Sequence, residues 1–127
     1  MKNEKKVLIA DDEAIIAISL KIDLEAFGVK VLKPVAKGED AVKIALKEKP
    51  SLILMDIRLA GEMDGIQAAE KILIHQKSHI IFISGFATDY IKKRALKIKP
   101  LDFLEKPINV NKIKLIIEKL EENGSFI

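Results

Sequence analysis

In this chain, polar groups able to do chemistry stand directly after short apolar runs. Asp56 closes Leu52-Ile53-Leu54-Met55, and Asp11-Asp12 follow Val7-Leu8-Ile9-Ala10. Ser84 follows Ile80-Ile81-Phe82-Ile83, and Lys106 comes after Leu101-Asp102-Phe103-Leu104-Glu105 and before Pro107. Three carboxylates brought together raise one another's pKa unless a cation neutralises them. An all-oxygen donor set suits a hard cation, and Mg²⁺ held by a few carboxylates and waters fits best. Zinc is disfavoured: there is no Cys, and His75 and His79 lie near the other end of a helix–strand unit. With Mg²⁺ beside it, a carboxylate can act as a nucleophile toward phosphorus and form an aspartyl phosphate. Phosphoryl transfer needs charge neutralisation and positioning more than covalent help. The Lys106 ammonium, the Ser84 hydroxyl and nearby backbone N–H groups are of the right kind.

Taken singly, each group has a plainer use. An acidic pair before a helix is ordinarily a cap, and an Asp or Ser-Gly after a strand closes a turn. A Lys before Pro is ordinarily solvated. What unites them is a pattern of elements. The continuous apolar runs suit strands buried on both faces. Amphipathic stretches lie between them. Helices are expected over 14–27, 39–49, 66–76, 89–98 and 109–122, with Gly28, Pro50, Pro100 and Gly124 as stops and Asn109 as an N-cap. Ile15, Ile18, Ile22 and Phe27 fall near one face of the first helix. A further strand fits 29–35, with Pro34 suiting an edge position. Strict strand–helix alternation predicts an α/β fold, a parallel sheet with helices on both faces. Such sheets bind ligands beyond the carboxyl ends of their strands. There Asp11, Asp12, Asp56, Ser84 and Lys106 would meet.

A chain of 127 residues fits one domain, expected over 1–127 with a core at about 5–122 and no output domain among these residues. The absence of Cys excludes disulfides and suits a reducing cytoplasm. The charged residues 1–6 do not read as a signal peptide, and no run is long enough to cross a bilayer. A formal charge of +3 with scattered basic residues gives no reason to expect direct nucleic-acid or membrane binding.

The segments VLIADDE (7–13), LILMDIRL (52–59), MDG (63–65), IFISGFA (81–87) and DFLEKPI (102–108) together resemble the receiver domain of two-component response regulators. The resemblance covers essentially the whole chain. It implies a flavodoxin-like, doubly wound sheet of five parallel strands in the order 2-1-3-4-5 with five helices. It implies that Asp56 is the phosphoacceptor, taking its phosphoryl group from a sensor histidine kinase or a histidine phosphotransfer domain. Asp12 is then a direct Mg²⁺ ligand and Asp11 a ligand partly through water. Asp56 and the backbone carbonyl of Arg58 complete the metal set, with Mn²⁺ as a substitute. Ser84 and Lys106 hold the phosphoryl group, Lys106-Pro107 is a cis peptide, and Ser84 and Phe103 form the switch. Signal leaves by the helices over 89–98 and 109–122, whose outer face carries Lys92, Lys93, Arg94, Lys97, Lys112 and Lys114. A cytoplasmic signalling domain is implied, one that catalyses only its own phosphorylation and dephosphorylation.

Two departures from the family pattern stand out. The loop between Asp56 and Gly65 is one residue longer than the commonest receiver pattern and reads Leu59-Ala60-Gly61-Glu62. Phe86 stands two residues after Ser84, a position that in receivers helps control water access, and slow dephosphorylation is expected. Three other readings fit less well. A non-phosphorylated receiver-like module would have lost an acid, the hydroxyl or the lysine. A phosphatase with an Asp-x-Asp pair lacks its second acid, since Ile57-Arg58 follow Asp56. Nucleotide or flavin binding lacks a Gly-rich loop after the first strand and meets an acidic pair instead.

Overall fold

The computed structural model describes residues 5–124. The unit expected over 1–127 extends past them at both ends, and the charged segment 1–6 lies largely outside them. Strands and helices alternate along the chain: β1 (Lys6–Ala10), α1 (Ala14–Ala26), β2 (Lys30–Val31), α2 (Gly38–Glu48), β3 (Leu52–Asp56), α3 (Gly65–His75), β4 (His79–Ser84), α4 (Asp89–Lys97), β5 (Asp102–Glu105) and α5 (Val110–Glu122). All strand pairs are parallel, in the order β2-β1-β3-β4-β5. This is the expected flavodoxin-like topology.

The continuous apolar runs become strands buried on both sides, and β3 is buried at every position. Alternate side chains leave opposite faces of the sheet. Val7, Ile9, Leu54, Ile81 and Ile83 pack with Leu20 and Leu24 of α1 and Ile113 and Ile117 of α5. Leu8, Ile53, Met55, Ile80 and Phe82 pack with Ala41 and Ala45 of α2, Ala69 and Ile72 of α3, and Ala95 of α4. The chain thus covers its sheet with two helices on one face and three on the other. No helix among the described residues is long and apolar enough to cross a membrane.

Two expectations need correction. Ile15, Ile18 and Ile22 of α1 do share a face, but that face is exposed, and Ile15 is 86% accessible. The buried face carries Ala17, Leu20 and Leu24. The run Ala14-Ile15-Ile16-Ala17-Ile18 is apolar nearly all round, so periodicity cannot select its inner side; packing on the sheet does. The second strand is also shorter than expected. Its ladder covers Lys30–Val31, and Val35 returns as an isolated parallel bridge to Ala10. Pro34, with no N–H to offer, stands between them.

The longer loop after Asp56 has a defined path. Ala60 donates its N–H to Ala36 O at 3.0 Å and forms a parallel bridge with Lys37. Gly61 takes φ +87° beside Glu39, a conformation that favours glycine. Gly65 donates its N–H to Ile57 O at 2.8 Å and lies so close to the end of β3 that a Cβ would sit 2.0 Å from Asp56 O. The additional length is thus docked on the segment before α2.

Candidate functional site

The register sets the site. Ala10 pairs with Met55, Asp56 with Ile83 and Ser84 with Glu105. Asp11, Asp56, Ser84 and Lys106 therefore leave the same carboxyl edge at nearly the same level, where the winding reverses between β1 and β3. A cleft of about 610 Å³ opens at this edge, with Asp12, Glu13, Asp56, Arg58, Ser84 and Lys106 among its walls. Asp64, Phe86, Thr88 and Ile91 also line it. Asp11, Asp56 and Ser84 are buried, whereas Asp12 is exposed.

Short local bonds aim the acids. Glu13 donates its N–H to Asp11 Oδ1 at 2.8 Å, and Arg58 donates its N–H to Asp56 Oδ1 at 3.1 Å. The Lys106 N–H donates to Ser84 O at 2.9 Å, and the Lys106-Pro107 peptide is cis. Across the cleft, Lys106 Nζ lies 2.7 Å from Glu13 Oε1, 2.9 Å from Asp56 Oδ2 and 3.5 Å from Asp11 Oδ2.

Burial dominates the Asp56 carboxyl and pushes it from its ordinary 3.8 to about 6. The Asp11 charge adds to the rise, while Lys106 and the Arg58 N–H pull against it. Burial alone would lower the Lys106 ammonium. The hydrogen bonds that Lys106 donates to Glu13 and Asp56 and the nearby carboxylate charges outweigh it and hold Lys106 above the ordinary lysine range.

The donor set fits a hard divalent cation. Carboxylate oxygens of Asp11, Asp12, Glu13 and Asp56 lie within 4.8 Å of one another, with no nitrogen or sulfur ligand in the group. His75 ends α3 and His79 begins β4, at the opposite end of the sheet, so neither belongs to this site.

Every residue singled out as a site candidate lies at this edge or beside it. Phe103 is half-buried on β5, in a groove of about 480 Å³ shared with Lys92, Leu96 and Lys112. Three of the six cations assigned to the outer face have other engagements. Lys92 Nζ lies 3.6 Å from Glu105 Oε1. Arg94 pairs with Asp64 at 3.0 Å, and Lys114 Nζ lies 5.5 Å from the centre of the Phe27 ring. Sequence reasoning gave Glu13, Asp64 and Thr88 no part at this edge. Asp64 and Thr88 cap α3 and α4 by accepting from Gln67 N and Ile91 N. A third acid after Asp11-Asp12, and a polar residue three before each of those acceptor contacts, were the available signals.

The chain matches the family described as response regulator receiver domain over residues 7–118. It is 30% identical over 119 residues to the chemotaxis protein CheY of Thermotoga maritima, covering 93% of this chain and 98% of that protein. It is 31% identical over 114 residues to the transcriptional regulatory protein PdtaR of Mycobacterium tuberculosis, covering 90% of this chain and 55% of that one. The chain therefore spans about half the length of PdtaR. The signal receiver domain of a modulated diguanylate cyclase from Desulfovibrio desulfuricans superposes with a TM-score of 0.85 at 33% identity, covering 91% of this chain and 92% of that one. A CheY-like receiver from Methanospirillum hungatei gives 0.84 at 29% identity, covering 94% and 95%. With the sheet order, the loaded carboxyl edge and these likenesses in agreement, the chain belongs to the response regulator receiver domain family of two-component signalling.

Proposed function

We propose that this receiver accepts a phosphoryl group on Asp56 from a phosphohistidine, carried by a sensor histidine kinase or a histidine phosphotransfer domain. The observation that carries this reading is the buried Asp56 carboxylate, 2.9 Å from Lys106 and inside a four-carboxylate cluster. An Asp56 oxygen attacks phosphorus, the O–P bond forms as the N–P bond breaks, and the imidazole nitrogen keeps the electron pair. Lys106 and the Ser84 hydroxyl hold phosphoryl oxygens at the edge. Asp11, Asp12, Asp56 and the Arg58 carbonyl are the residues that would hold Mg²⁺, or Mn²⁺ in its place. When bound, the ion supplies positive charge to the phosphoryl oxygens. Asp12 faces the cleft and Asp11 lies buried behind it, an arrangement that favours Asp12 as the direct ligand.

Residues 5–122 serve in this reading as one cytoplasmic signalling unit that acts only on its own phosphorylation state. Ser84 at the end of β4 and half-buried Phe103 on β5 carry the change to the α4–α5 face. There exposed Leu96 and Leu115 stand among Lys92, Lys93, Lys97 and Lys112, a surface suited to a downstream protein with apolar anchors and acidic flanks. No direct contact with nucleic acid is part of this reading.

The deciding experiment is incubation with Mg²⁺ and acetyl phosphate, read by intact mass. Wild type should gain one phosphoryl group and Asp56→Asn none. Absence of an adduct in wild type that still binds Mg²⁺ would overturn the reading.

A further inference from the structure

Glu13 belongs to the carboxylate cluster but is assigned neither a ligand role nor a reacting one above, yet it makes the shortest contact to the lysine on which that scheme depends. Its Oε1 lies 2.7 Å from Lys106 Nζ, inside the 2.9 Å of Asp56 and the 3.5 Å of Asp11. Resting on the phosphoacceptor reading, we propose that Glu13 is a positioning residue for Lys106: its carboxylate shares the ammonium with Asp56 and keeps it aimed at the reaction centre when Asp56 passes its oxygen to phosphorus.

Local structure commits Glu13 to this contact. It occupies the N-cap position of α1, with φ −91° and ψ 96°, but makes no side-chain cap bond to the helix. Its N–H is bound to Asp11 Oδ1 at 2.8 Å, which fixes the direction in which the residue leaves the β1 edge. The carboxylate then spans 93 positions of sequence to reach the β5–α5 connection. An exposed ion pair between flexible side chains contributes little. This one differs, because the lysine side chain is only 16% exposed while Glu13 is 58% exposed. One end is held in the protein and the other can adjust.

The chemistry asks for such a group. An ammonium carries three donors and no acceptor. Before transfer, one donor is given to Asp56 Oδ2. As the O–P bond forms, negative charge leaves the carboxylate for the phosphoryl oxygens, and Lys106 must exchange one acceptor for another. A lysine stem is long and loses much rotamer freedom when fixed. Glu13 is unaltered by the reaction, so it keeps a second donor engaged through the exchange. It also draws the ammonium partly off Asp56, leaving that carboxylate less tied as a nucleophile.

Two measurements test this, one of them without any reaction. In metal-free, unphosphorylated protein, the Lys106 ammonium should give a ¹⁵N–¹H signal whose protons exchange slowly with water. Glu13→Gln should speed that exchange by about tenfold, because a charged acceptor is replaced by a neutral one. Unchanged exchange would overturn the proposal. In the second, phosphorylation by acetyl phosphate is followed at saturating Mg²⁺ in a double-mutant cycle. At that saturating Mg²⁺, Glu13→Gln should slow the maximal rate by about fivefold to tenfold with the donor KM unchanged, and should have no further effect in a Lys106→Met background. An additive loss in that background would show that Glu13 acts elsewhere and would overturn it. Glu13 is exposed, so folding of Glu13→Gln is not at stake. Failure of wild type to form an adduct would strike the phosphoacceptor reading, while the ammonium signal reports on the Glu13–Lys106 pair alone.

Discussion

Arg94 Nη1 lies 3.0 Å from Asp64 Oδ2, and this pair ties α4 to the loop that leaves Asp56. The same Asp64 caps α3: its Oδ1 accepts from Gln67 N at 2.8 Å, while Gln67 Oε1 accepts from Asp64 N at 2.9 Å. A single carboxylate thus serves the start of one helix and the middle of another. Arg94 also lies over the Tyr90 ring, 5.9 Å from its centre, one turn earlier on α4. Asp64, Thr88 and Ile91 line the cleft together with Lys106. Any displacement of α4, including the one the proposed function assigns to Ser84, would have to work against the Arg94–Asp64 contact.

The two partners should respond differently to removal. Arg94→Ala should quicken amide exchange in α4 severalfold and lower stability by less than about 1 kcal/mol, since the pair is partly exposed. Asp64→Ala removes the cap as well and should lower stability by about 1–2 kcal/mol. Hydrogen exchange and thermal melts of both variants check this. Equal losses of stability would mean that the cap adds nothing to the ion pair.

Gly65 should tolerate no side chain. A Cβ there would stand 2.0 Å from Asp56 O, a backbone atom that cannot swing aside. Gly65→Ala should therefore displace the β3–α3 junction, destabilise the fold by roughly 1–3 kcal/mol or more, and weaken Mg²⁺ binding by moving Asp56. Gly28→Ala is the comparison. It has nothing within 4 Å but takes φ +97°, so it should lose stability from backbone strain alone and leave metal affinity intact. Urea unfolding and metal titration separate the two.

The sheet edge was legible in the sequence because its logic is local. A strand buried on both faces shows as an unbroken apolar run, and parallel winding sends the residue after each run to the same edge. Asp56, Asp11, Ser84 and Lys106 needed no more than that. Glu13 and Arg94 act through partners 93 and 30 positions away, and residue type alone does not name a partner. The path of the loop after Asp56 depends on the Ala60 N–H finding Ala36 O, a backbone pairing that leaves no side-chain pattern. The inner face of α1 is not legible in the sequence because isoleucines occupy both its sides, and only the sheet beneath decides which side is buried.

Asp56 should give stability a distinct pH dependence in the metal-free protein. Its folded-state pKa of about 6 stands above the ordinary 3.8, so folding favours the protonated form. Its contribution is then fully present below about pH 4 and is lost as pH rises through about 6. Asp56→Asn cannot ionise and should melt above wild type at neutral pH, with the advantage fading on acidification toward about pH 4. Saturating Mg²⁺ should narrow the gap at neutral pH, because it stabilises the ionised carboxylate of wild type. Melting curves of both proteins across this range test the sign, and an advantage that grows on acidification would contradict it.

Phe86 should set the lifetime of the phosphorylated state. Phe86 is 85% exposed and lines the same cleft as Asp56, Ser84 and Lys106. An aromatic hydrocarbon there offers no acceptor or donor to orient a water for attack on the phosphoryl group, and it covers part of the approach. Phe86→Ala opens the approach, and Phe86→Gln both opens it and supplies polar atoms. Loss of the adduct after donor removal should quicken in both variants, by on the order of tenfold in Phe86→Gln, a barrier change of about 1.4 kcal/mol. In the proposed reaction the adduct forms through Asp56 and Lys106, neither of which is altered, so its rate of formation should stay near that of wild type. Decay followed by intact mass distinguishes the two steps, and an unchanged half-life in Phe86→Ala would remove the ring from any control of water access.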